Sequence, residues 1–201
     1  MYPEFCDLTK EQALEYFRYS EYFPMRIAIE DKVKQYNGTV LDVGCGNGID
    51  AQWYMPNQYC GIDISMPLVW AAKKLNPLHT FVCIPLDGIP FKDKSWDTVF
   101  CHAVLEHQHS FKLAKYLFDE MVRVAKKRVI IGWNTPPWDK PIEIRKKQYG
   151  RRHFNLTGYG NRYNRDELLS GFVGSLKREP FDANNNKSEI WTITKNDVFN
   201  K

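Results

Sequence analysis

The feature that most constrains the fold is a regular alternation of short apolar runs with helical patterns over residues 39–133. Five runs rich in β-branched and aromatic residues predict strands: TVLDV, QYCGIDI, HTFVCI, WDTVFCHAV and RVIIGW. Between them, a brief helix is predicted after a glycine-rich turn and ends near Pro56. Ser65 and Pro67 mark the start of a second helix, and an apolar stripe over residues 114–125 marks a third. Strands that alternate with helices form a parallel sheet with right-handed crossovers.

Further elements are predicted before the first of these strands and after the fifth. Thr9 and Gln12 have the spacing of a capping box, which predicts a helix from Lys10, and apolar residues at helical spacing continue from Pro24 to an Asn-Gly stop signal. Near the end, RDELLSGF predicts a short helix, and SLKREPF and EIWTITK predict a hairpin. We therefore predict one α/β domain with a doubly wound, mostly parallel seven-stranded sheet (Rossmann-like) and a C-terminal antiparallel hairpin.

The composition agrees with a globular domain. Of the 201 residues, 43% are hydrophobic and 26% are charged, and no apolar run reaches the length of a transmembrane helix. The first residues lack the basic and apolar regions of a signal peptide, so we expect none. The five cysteines are odd in number and most lie in strand-like runs, which predicts free thiols in a reducing compartment. We therefore expect a cytoplasmic protein with no membrane partner.

The positive charge is concentrated in one segment. Residues 140–178 contain ten Lys or Arg and three Asp or Glu, a local charge of +7, so the rest of the chain carries about −3 of the total of +4. Such a segment either faces an anionic partner or is simply a solvated surface.

A glycine-rich turn and an acidic residue follow the first two predicted strands. Gly44, Gly46 and Gly48 form a G-x-G-x-G pattern, which lets the backbone approach a ligand closely and differs from the spacing of dinucleotide-binding folds. Asp63 closes the second strand, where a carboxylate can accept hydrogen bonds from both hydroxyls of a ribose. Asp87 follows the third strand and could accept from an adenine amino group.

Four motifs in order, VLDVGCGNG, GIDIS, PLDGIPFKDKSWDTVFCHAVLEH and FDEMVRVAKKRVII, resemble the class I S-adenosylmethionine-dependent methyltransferases, in particular the small-molecule (type 11-like) branch. The resemblance runs from Val40 to Ile131 and implies S-adenosylmethionine as cofactor. It departs from the family pattern at residues 126–128, where Lys-Lys-Arg replaces a Lys-Pro-Gly-Gly turn at the far end of the sheet. By this resemblance, the methionine part of the cofactor would be bound by Gly44, Cys45, Gly46 and Gly48, with Asp42 beside them. Asp63 and Ile64 would contact the ribose and the adenine face. Asp87, Gly88 and Ile89 would contact the adenine edge, and His102 would lie near the sulfonium.

The fourth strand is followed by a cluster of histidines, of which His107 is the candidate for a general base or acceptor contact. Glu106 and His107 match the Leu-Glu-His of the resembled family and follow the strand at the switch point where ligands bind. The alternative is that His107 caps the following helix. Cys101 and the nearby histidines do not have the spacing of a tetrahedral metal site, so we expect no metal.

Candidates for substrate contacts lie in the N-terminal segment and after the fifth strand. Aromatic and arginine side chains of EYFRYSEYFPMR could close the site, and residues 134–165 form a long connection that we expect to be an irregular lid over the substrate. The candidates are Tyr16, Tyr19 and Arg26 from the first segment and Trp138, Arg151, Arg152 and Arg162 from the second. The expected organisation is a helical extension over residues 1–38, a cofactor-binding core over 39–133, the lid over 134–165, and a closing helix with strands over 166–201.

The stretch NTPPW at residues 134–138 is close to the Asn/Asp-Pro-Pro-aromatic motif of amino-directed methyltransferases. It follows the fifth strand instead of the fourth, and Thr135 separates the asparagine from the prolines. We interpret it as a rigid turn that begins the lid, with Asn134 and Trp138 as candidates to line the substrate pocket. This interpretation argues against an adenine-amino substrate.

We therefore expect methyl transfer to an oxygen or nitrogen of a small metabolite that is anionic or contains a sugar. One alternative is methylation of RNA, bound by the basic segment with bases stacked on Tyr149, Phe154 and Tyr159. A second alternative is a cofactor-binding partner protein without catalysis. The sequence does not indicate an oligomeric state.

Overall fold

Seven strands form one central sheet in a computed structural model of the protein. The structure describes residues 7–16, 24–84, 88–134, 136–144, 146–151, 154–159, 161–181 and 188–196. For residues 24–25, 146–151 and 154–159 it describes the backbone alone. The strands are β1 Val40–Val43, β2 Tyr59–Asp63, β3 Thr80–Cys83, β4 Trp96–His102, β5 Ala125–Trp133, β6 Lys146–Arg151, β7 Phe154–Tyr159, β8 Gly174–Phe181 and β9 Ser188–Lys195. The helices are α1 Lys10–Glu15, α2 Pro24–Lys34, α3 Met66–Leu75, α4 Phe111–Val124 and α5 Arg165–Leu168, with 3₁₀ helices at Ile49–Trp53 and Leu105–His107.

The strand order of the main sheet is β3-β2-β1-β4-β5-β9-β8. The first five strands pair in parallel, whereas β9 is antiparallel to both of its neighbours, β5 and β8. The predicted doubly wound, mostly parallel seven-stranded sheet with its C-terminal antiparallel hairpin is therefore confirmed. The strand order reverses between β1 and β4, so a ligand crevice is expected at the carboxyl ends of these two strands.

Local signals in the sequence explain where the helices begin. Thr9 and Gln12 form the predicted capping box at the start of α1. Ser65 accepts a hydrogen bond from the Leu68 backbone N–H at the start of α3, and Pro67 lies in the first turn of that helix. Ser110 caps α4 in the same way. None of the described helices is both long enough and apolar enough to cross a bilayer.

Side chains alternate along the strands between two apolar layers. Leu41 and Val43 of β1 belong to a buried cluster on the side of α4, which contributes Phe118 and Met121. On the other side, Val40 packs in a second cluster together with residues of α2 and α3. Because helices cover both faces, the strands between them are mostly apolar, with Asp42 as a buried exception in β1.

The sequence led us to expect an irregular connection over residues 134–165, but this connection contains regular structure. Its role as a lid over the substrate stays a prediction. The connection contains the antiparallel hairpin β6–β7, in a register that runs from Lys146↔Tyr159 to Arg151↔Phe154. Isolated bridges between Glu143 and Arg162 and between Trp138 and Asn164 form its base. The expected irregularity was wrong because glycines and charged residues interrupt these strands, so the apolar alternation in the sequence is short and weak.

Two predicted helices are shorter or tighter than expected. The helix predicted over RDELLSGF ends at Leu168, and the chain then turns through Gly171, which has a φ of 80°. The helix predicted after the glycine-rich turn is the 3₁₀ helix Ile49–Trp53.

Candidate active site

The glycine-rich turn after β1 needs a backbone conformation that favours glycine. Gly44, Gly46 and Gly48 all have positive φ, at 79°, 57° and 73°. The backbone N–H groups of Gly44 and Cys45 both donate to the carbonyl of Ile62, at 2.8 and 3.0 Å, so the turn folds over the end of β2. Because the turn lies at the carboxyl end of β1, its backbone is positioned to surround a ligand in the crevice.

The carboxylate of Asp63, the last residue of β2, lies beside this turn. One oxygen accepts a hydrogen bond from the Gly46 N–H and the other from the Ser65 N–H, both at 2.9 Å. Burial raises the pKa of Asp63, and these backbone N–H donors partly oppose that shift. A carboxylate offers about four lone pairs, more than these backbone donors use, so Asp63 could also accept from a ribose hydroxyl and the residues present fit the ribose of S-adenosylmethionine.

Asp42 lies behind the turn in the core. Its side chain is 2% exposed and accepts a 2.6 Å hydrogen bond from the Tyr59 hydroxyl. Burial raises the pKa of Asp42, and the nearby Asp50 adds to the shift. In this position, two residues before Gly44, the carboxyl group can stabilise the start of the glycine-rich turn from within the core.

Two more carboxyl groups lie close to Asp42, supplied by α2 and by the 3₁₀ helix after the turn. Glu30 accepts from the Tyr54 hydroxyl at 2.8 Å, and Asp50 forms an ion pair with Arg26 at 2.9 Å. Burial and the charge of Asp50 raise the pKa of Glu30 to about 9. Arg26, a substrate candidate in the sequence, is therefore held against the cofactor turn through Asp50.

The segment after β3 is the candidate contact for the adenine edge. Within it, Asp87 lies outside the described residues, and Gly88 has a φ of 144°. Ile89 is buried, and its N–H donates to Glu120 on α4 at 2.9 Å. The guanidinium of Arg123 donates to the Ile89 carbonyl at 2.8 Å. Helix α4 therefore fixes this segment, through two residues that the sequence analysis did not single out.

Ile64, the other residue expected at the adenine, follows Asp63 directly. Its side chain is partly buried and packs against the apolar cluster on the α4 side of the sheet. Cys45, expected beside the methionine part of the cofactor, is buried on the opposite side, and burial raises the pKa of its thiol.

His102 ends β4, beside the strand that leads into the glycine-rich turn. Burial, together with the charges of Arg26 and His107, lowers the pKa of His102 to about 3, and a hydrogen bond that the imidazole donates to the Asn134 side chain partly opposes this. The Nε2 atom is buried and has no hydrogen-bond partner among the described residues. A neutral imidazole at this place can approach a cationic sulfonium without repulsion.

Glu106 and His107 lie on the 3₁₀ helix Leu105–His107, directly after β4. Glu106 is 1% exposed, and its carboxylate accepts a 2.9 Å hydrogen bond from the Asn134 N–H at the end of β5. His107 is partly buried and does not cap the next helix, because Ser110 is the cap of α4. The structure thus brings His102, His107 and Asn134 together at the carboxyl ends of β4 and β5.

The other substrate candidates are distributed around this edge. Trp138 lies at the base of the hairpin, with the Arg162 guanidinium 4.6 Å from the centre of its ring. Arg151 ends β6, but its side chain is not described. Tyr19 and Arg152 lie outside the described residues. The side chains of the three aromatic candidates for RNA stacking are also not described: Tyr149, Phe154 and Tyr159. Tyr16, at the end of α1, is buried in a small apolar cluster with Leu68 of α3. The backbone of β7 lies against the 3₁₀ helix that carries His107.

Sequence reasoning missed the residues that join the hairpin to the site. Asn161 and Tyr163 follow β7, are fully buried, and bond to the turn around Glu106. Their partners lie more than 50 residues away in the sequence, so no local pattern could reveal them. In the described part of the chain, no group of three or more His, Cys, Asp or Glu could hold a metal ion, and Cys45, Cys60, Cys83 and Cys101 are free.

Comparisons with known proteins agree with this geometry. Residues 41–131 match a family model described as a methyltransferase domain, of type 11. A search of curated protein sequences finds no relative.

Several solved structures share the fold. A Burkholderia thailandensis 1,6-didemethyltoxoflavin-N1-methyltransferase, solved with 1,6-didemethyltoxoflavin and S-adenosylhomocysteine, is 16% identical, with a TM-score of 0.64 over 93% of this chain and 85% of its own. The magnesium protoporphyrin IX methyltransferase from Synechocystis, with bound S-adenosylmethionine, is 18% identical, with a TM-score of 0.59 over 93% and 84%. A candidate methyltransferase from Haloferax volcanii, in complex with the Trm112 methyltransferase activator, is 14% identical, with a TM-score of 0.64 over 96% of each chain.

Proposed function

Since this chain carries a class I S-adenosylmethionine-dependent methyltransferase domain of the type 11 branch, we propose that it methylates an oxygen or nitrogen of a small metabolite that is anionic or contains a sugar. The cofactor supplies a methyl carbon that its sulfonium already activates, so the protein has to align the acceptor, exclude water and accept a proton. The free cysteines support our proposal of a reducing, cytoplasmic location.

The observation that carries the proposal is the position of two groups of residues at one edge of the sheet. The glycine-rich turn and Asp63 lie at the ends of β1 and β2, with the Gly46 N–H only 2.9 Å from the Asp63 carboxylate. His102 and His107 lie at and after the end of the adjacent strand β4. A cofactor held by the first group would therefore present its methyl carbon toward the second.

The two histidines have different tasks in the proposed reaction. His102 is neutral because its pKa is about 3, so it contacts the cofactor side as an uncharged ring. His107, on the turn after β4, is the candidate that accepts the proton of the acceptor hydroxyl or amine as the methyl group is transferred. A substitution of His107 would then lower the turnover rate more than it lowers cofactor affinity.

Small acceptors fit the described surroundings better than RNA does. Several cations of the basic segment are engaged within the chain: Arg178 pairs with Glu189 at 2.6 Å, and Arg162 lies over Trp138. They are thus less available for phosphates than the local charge of +7 suggested. The methyltransferases solved with 1,6-didemethyltoxoflavin and named for magnesium protoporphyrin IX are consistent with a small acceptor on this fold.

The test is a turnover screen with methyl-labelled S-adenosylmethionine against pools of small anionic and sugar-containing metabolites, and separately against RNA. We expect label in the metabolite pool, with His107→Ala lowering the rate at least about 100-fold if His107 accepts the proton. Label in RNA alone would replace the small-acceptor proposal. Binding of S-adenosylhomocysteine without turnover in either pool would favour the non-catalytic alternative.

A further inference from the structure

The segment that follows the hairpin is attached to the turn that carries His107. Asn161 and Tyr163 come directly after β7, and both side chains are completely buried. Neither residue belongs to a helix or to a strand of the main sheet. The Tyr163 ring packs in the apolar cluster on the α4 side of the sheet, whereas the polar groups of both residues bond to the loop at the edge of the site.

The hydrogen bonds of these two residues converge on the backbone of residues 105–108. The Asn161 N–H donates to the Glu106 carbonyl at 2.8 Å, and the Asn161 side-chain amide donates to the Gln108 carbonyl. The Tyr163 hydroxyl lies 3.0 Å from the Leu105 carbonyl and 3.3 Å from that of Gln108. The Asn161 amide also donates to the Tyr163 hydroxyl at 3.1 Å. The carbonyls on both sides of His107 therefore have partners from one short segment.

The same turn is also joined to the end of β5. The carboxylate of Glu106 accepts from the Asn134 N–H at 2.9 Å, while the carbonyl of Glu106 accepts from Asn161. Asn134 in turn hydrogen-bonds His102 through its side chain. Glu106 thus lies between the segment after the hairpin and the residues at the end of β4 and β5.

We propose that Asn161 and Tyr163 are positioning residues that hold the His107 turn against the end of the β6–β7 hairpin, so that the hairpin and His107 keep one fixed relation toward the acceptor. The proposal rests on the proposed function, in which His107 faces the acceptor. The backbone of β7 also lies against the 3₁₀ helix Leu105–His107. A hairpin held in this way defines which acceptors can reach His107.

The test compares Tyr163→Phe with Tyr54→Phe. The second variant removes a partly buried tyrosine hydroxyl that donates to Glu30 on the far face of the sheet. Deuterium exchange at the C2 position of each histidine ring, followed by mass spectrometry, reports the environment of every histidine without a substrate. In Tyr163→Phe we expect exchange at His107 to change by at least about threefold, because one hydrogen bond to its turn is lost. His79, which bonds to the Tyr54 carbonyl at 2.9 Å, should not change.

Three results would overturn the proposal. The exchange rate of His107 could be unchanged in Tyr163→Phe, it could change equally in Tyr54→Phe, or the exchange rate of His79 could change as much as that of His107 in Tyr163→Phe. If Tyr163→Phe does not fold, Asn161→Ser is assessed by the same criteria. Once an acceptor is known, Tyr163→Phe should raise its KM while the affinity for S-adenosylhomocysteine stays within about twofold of wild type. Failure of the wild-type protein to bind S-adenosylhomocysteine would instead contradict the proposed function, so the two failures are distinguishable.

Discussion

The Arg26 guanidinium and the Asp50 carboxylate form an ion pair at 2.9 Å that joins helix α2 to the short helix after the glycine-rich turn. Both side chains are nearly buried, with 11% and 4% of their surfaces exposed. Asn47, inside the same turn, donates to the Leu14 carbonyl of α1 at 3.4 Å. The N-terminal helices are therefore attached to the turn that would hold the cofactor, so a substitution in these helices should also affect the stability of the turn.

Removal of Arg26 should destabilise the fold strongly, because it leaves the buried Asp50 carboxylate without its cation. We expect Arg26→Ala to lower the free energy of unfolding by about 3 kcal/mol. The control is Arg165→Ala, which breaks the exposed pair with Asp166 and should cost less than about 0.5 kcal/mol. Urea denaturation measures both, and equal losses in the two variants would contradict a structural role for the Arg26–Asp50 pair.

Glu30 should make the protein less stable as the pH rises. Its pKa is about 9 in the folded state against about 4.5 when unfolded, so between these values the folded state binds more protons. The free energy of unfolding should then fall with rising pH through this window, with a slope of up to about 1.4 kcal/mol per pH unit from this group. Glu30→Gln, which keeps an acceptor for Tyr54, should reduce that slope. An unchanged slope in denaturation curves from pH 5 to 9 would refute the buried neutral carboxyl.

Gly48 should not tolerate a side chain. A Cβ at this position would lie 2.7 Å from the ring of Phe81, in addition to the cost of a φ of 73°. We expect Gly48→Ala to lower the free energy of unfolding by about 2 to 4 kcal/mol. Gly171→Ala is the matched control, since its φ is 80° but a Cβ there would meet nothing within 4 Å. It should cost only about 1 to 2 kcal/mol, and the difference in thermal stability isolates the packing against Phe81.

His102 should remain neutral over the whole physiological range. With a pKa of about 3, its C2 proton should keep a constant NMR chemical shift from pH 5 to 8. Because the unfolded value is about 6.5, the folded state binds fewer protons between pH 6.5 and 3, so this residue lowers stability as the pH falls through that window. His102→Gln should remove this contribution. A titration midpoint near 6.5 would contradict the lowered pKa of His102.

The parts of the fold with local signals were predictable from the sequence. The strand β1 and the glycine turn after it are recognisable as one motif. The helix caps at Thr9 and Ser65 depend on a contact between residues three positions apart, which the sequence displays directly. The parallel sheet and the family followed from several such motifs in order. For the site, the positions of Asp63 beside Gly46 and of His102 at a strand end could be anticipated in the same way.

Contacts between distant segments were not predictable. Tyr163 bonds to Leu105, and Arg26 pairs with Asp50, across separations that carry no periodic signal. The hairpin β6–β7 was missed because the apolar alternation in its two strand sequences is short and weak, whereas its backbone register joins residues up to 13 positions apart. Burial of Glu30 was missed for a related reason: a glutamate on a helix is normally exposed, and here two tyrosines and Arg26 surround the acidic cluster.

Titration calorimetry with S-adenosylhomocysteine tests the proposed cofactor site most directly. We expect the wild-type protein to bind one molecule per chain, and Asp63→Ala to bind at least about 30-fold more weakly because the hydrogen bonding of this carboxylate to a ribose would be lost. Asp97→Ala is the matched control, since that carboxylate bonds to Thr39 and Lys127 at the opposite end of the sheet and should leave the affinity unchanged. No binding by the folded wild-type protein, or equal binding by Asp63→Ala, would contradict a cofactor held by this turn and this carboxylate.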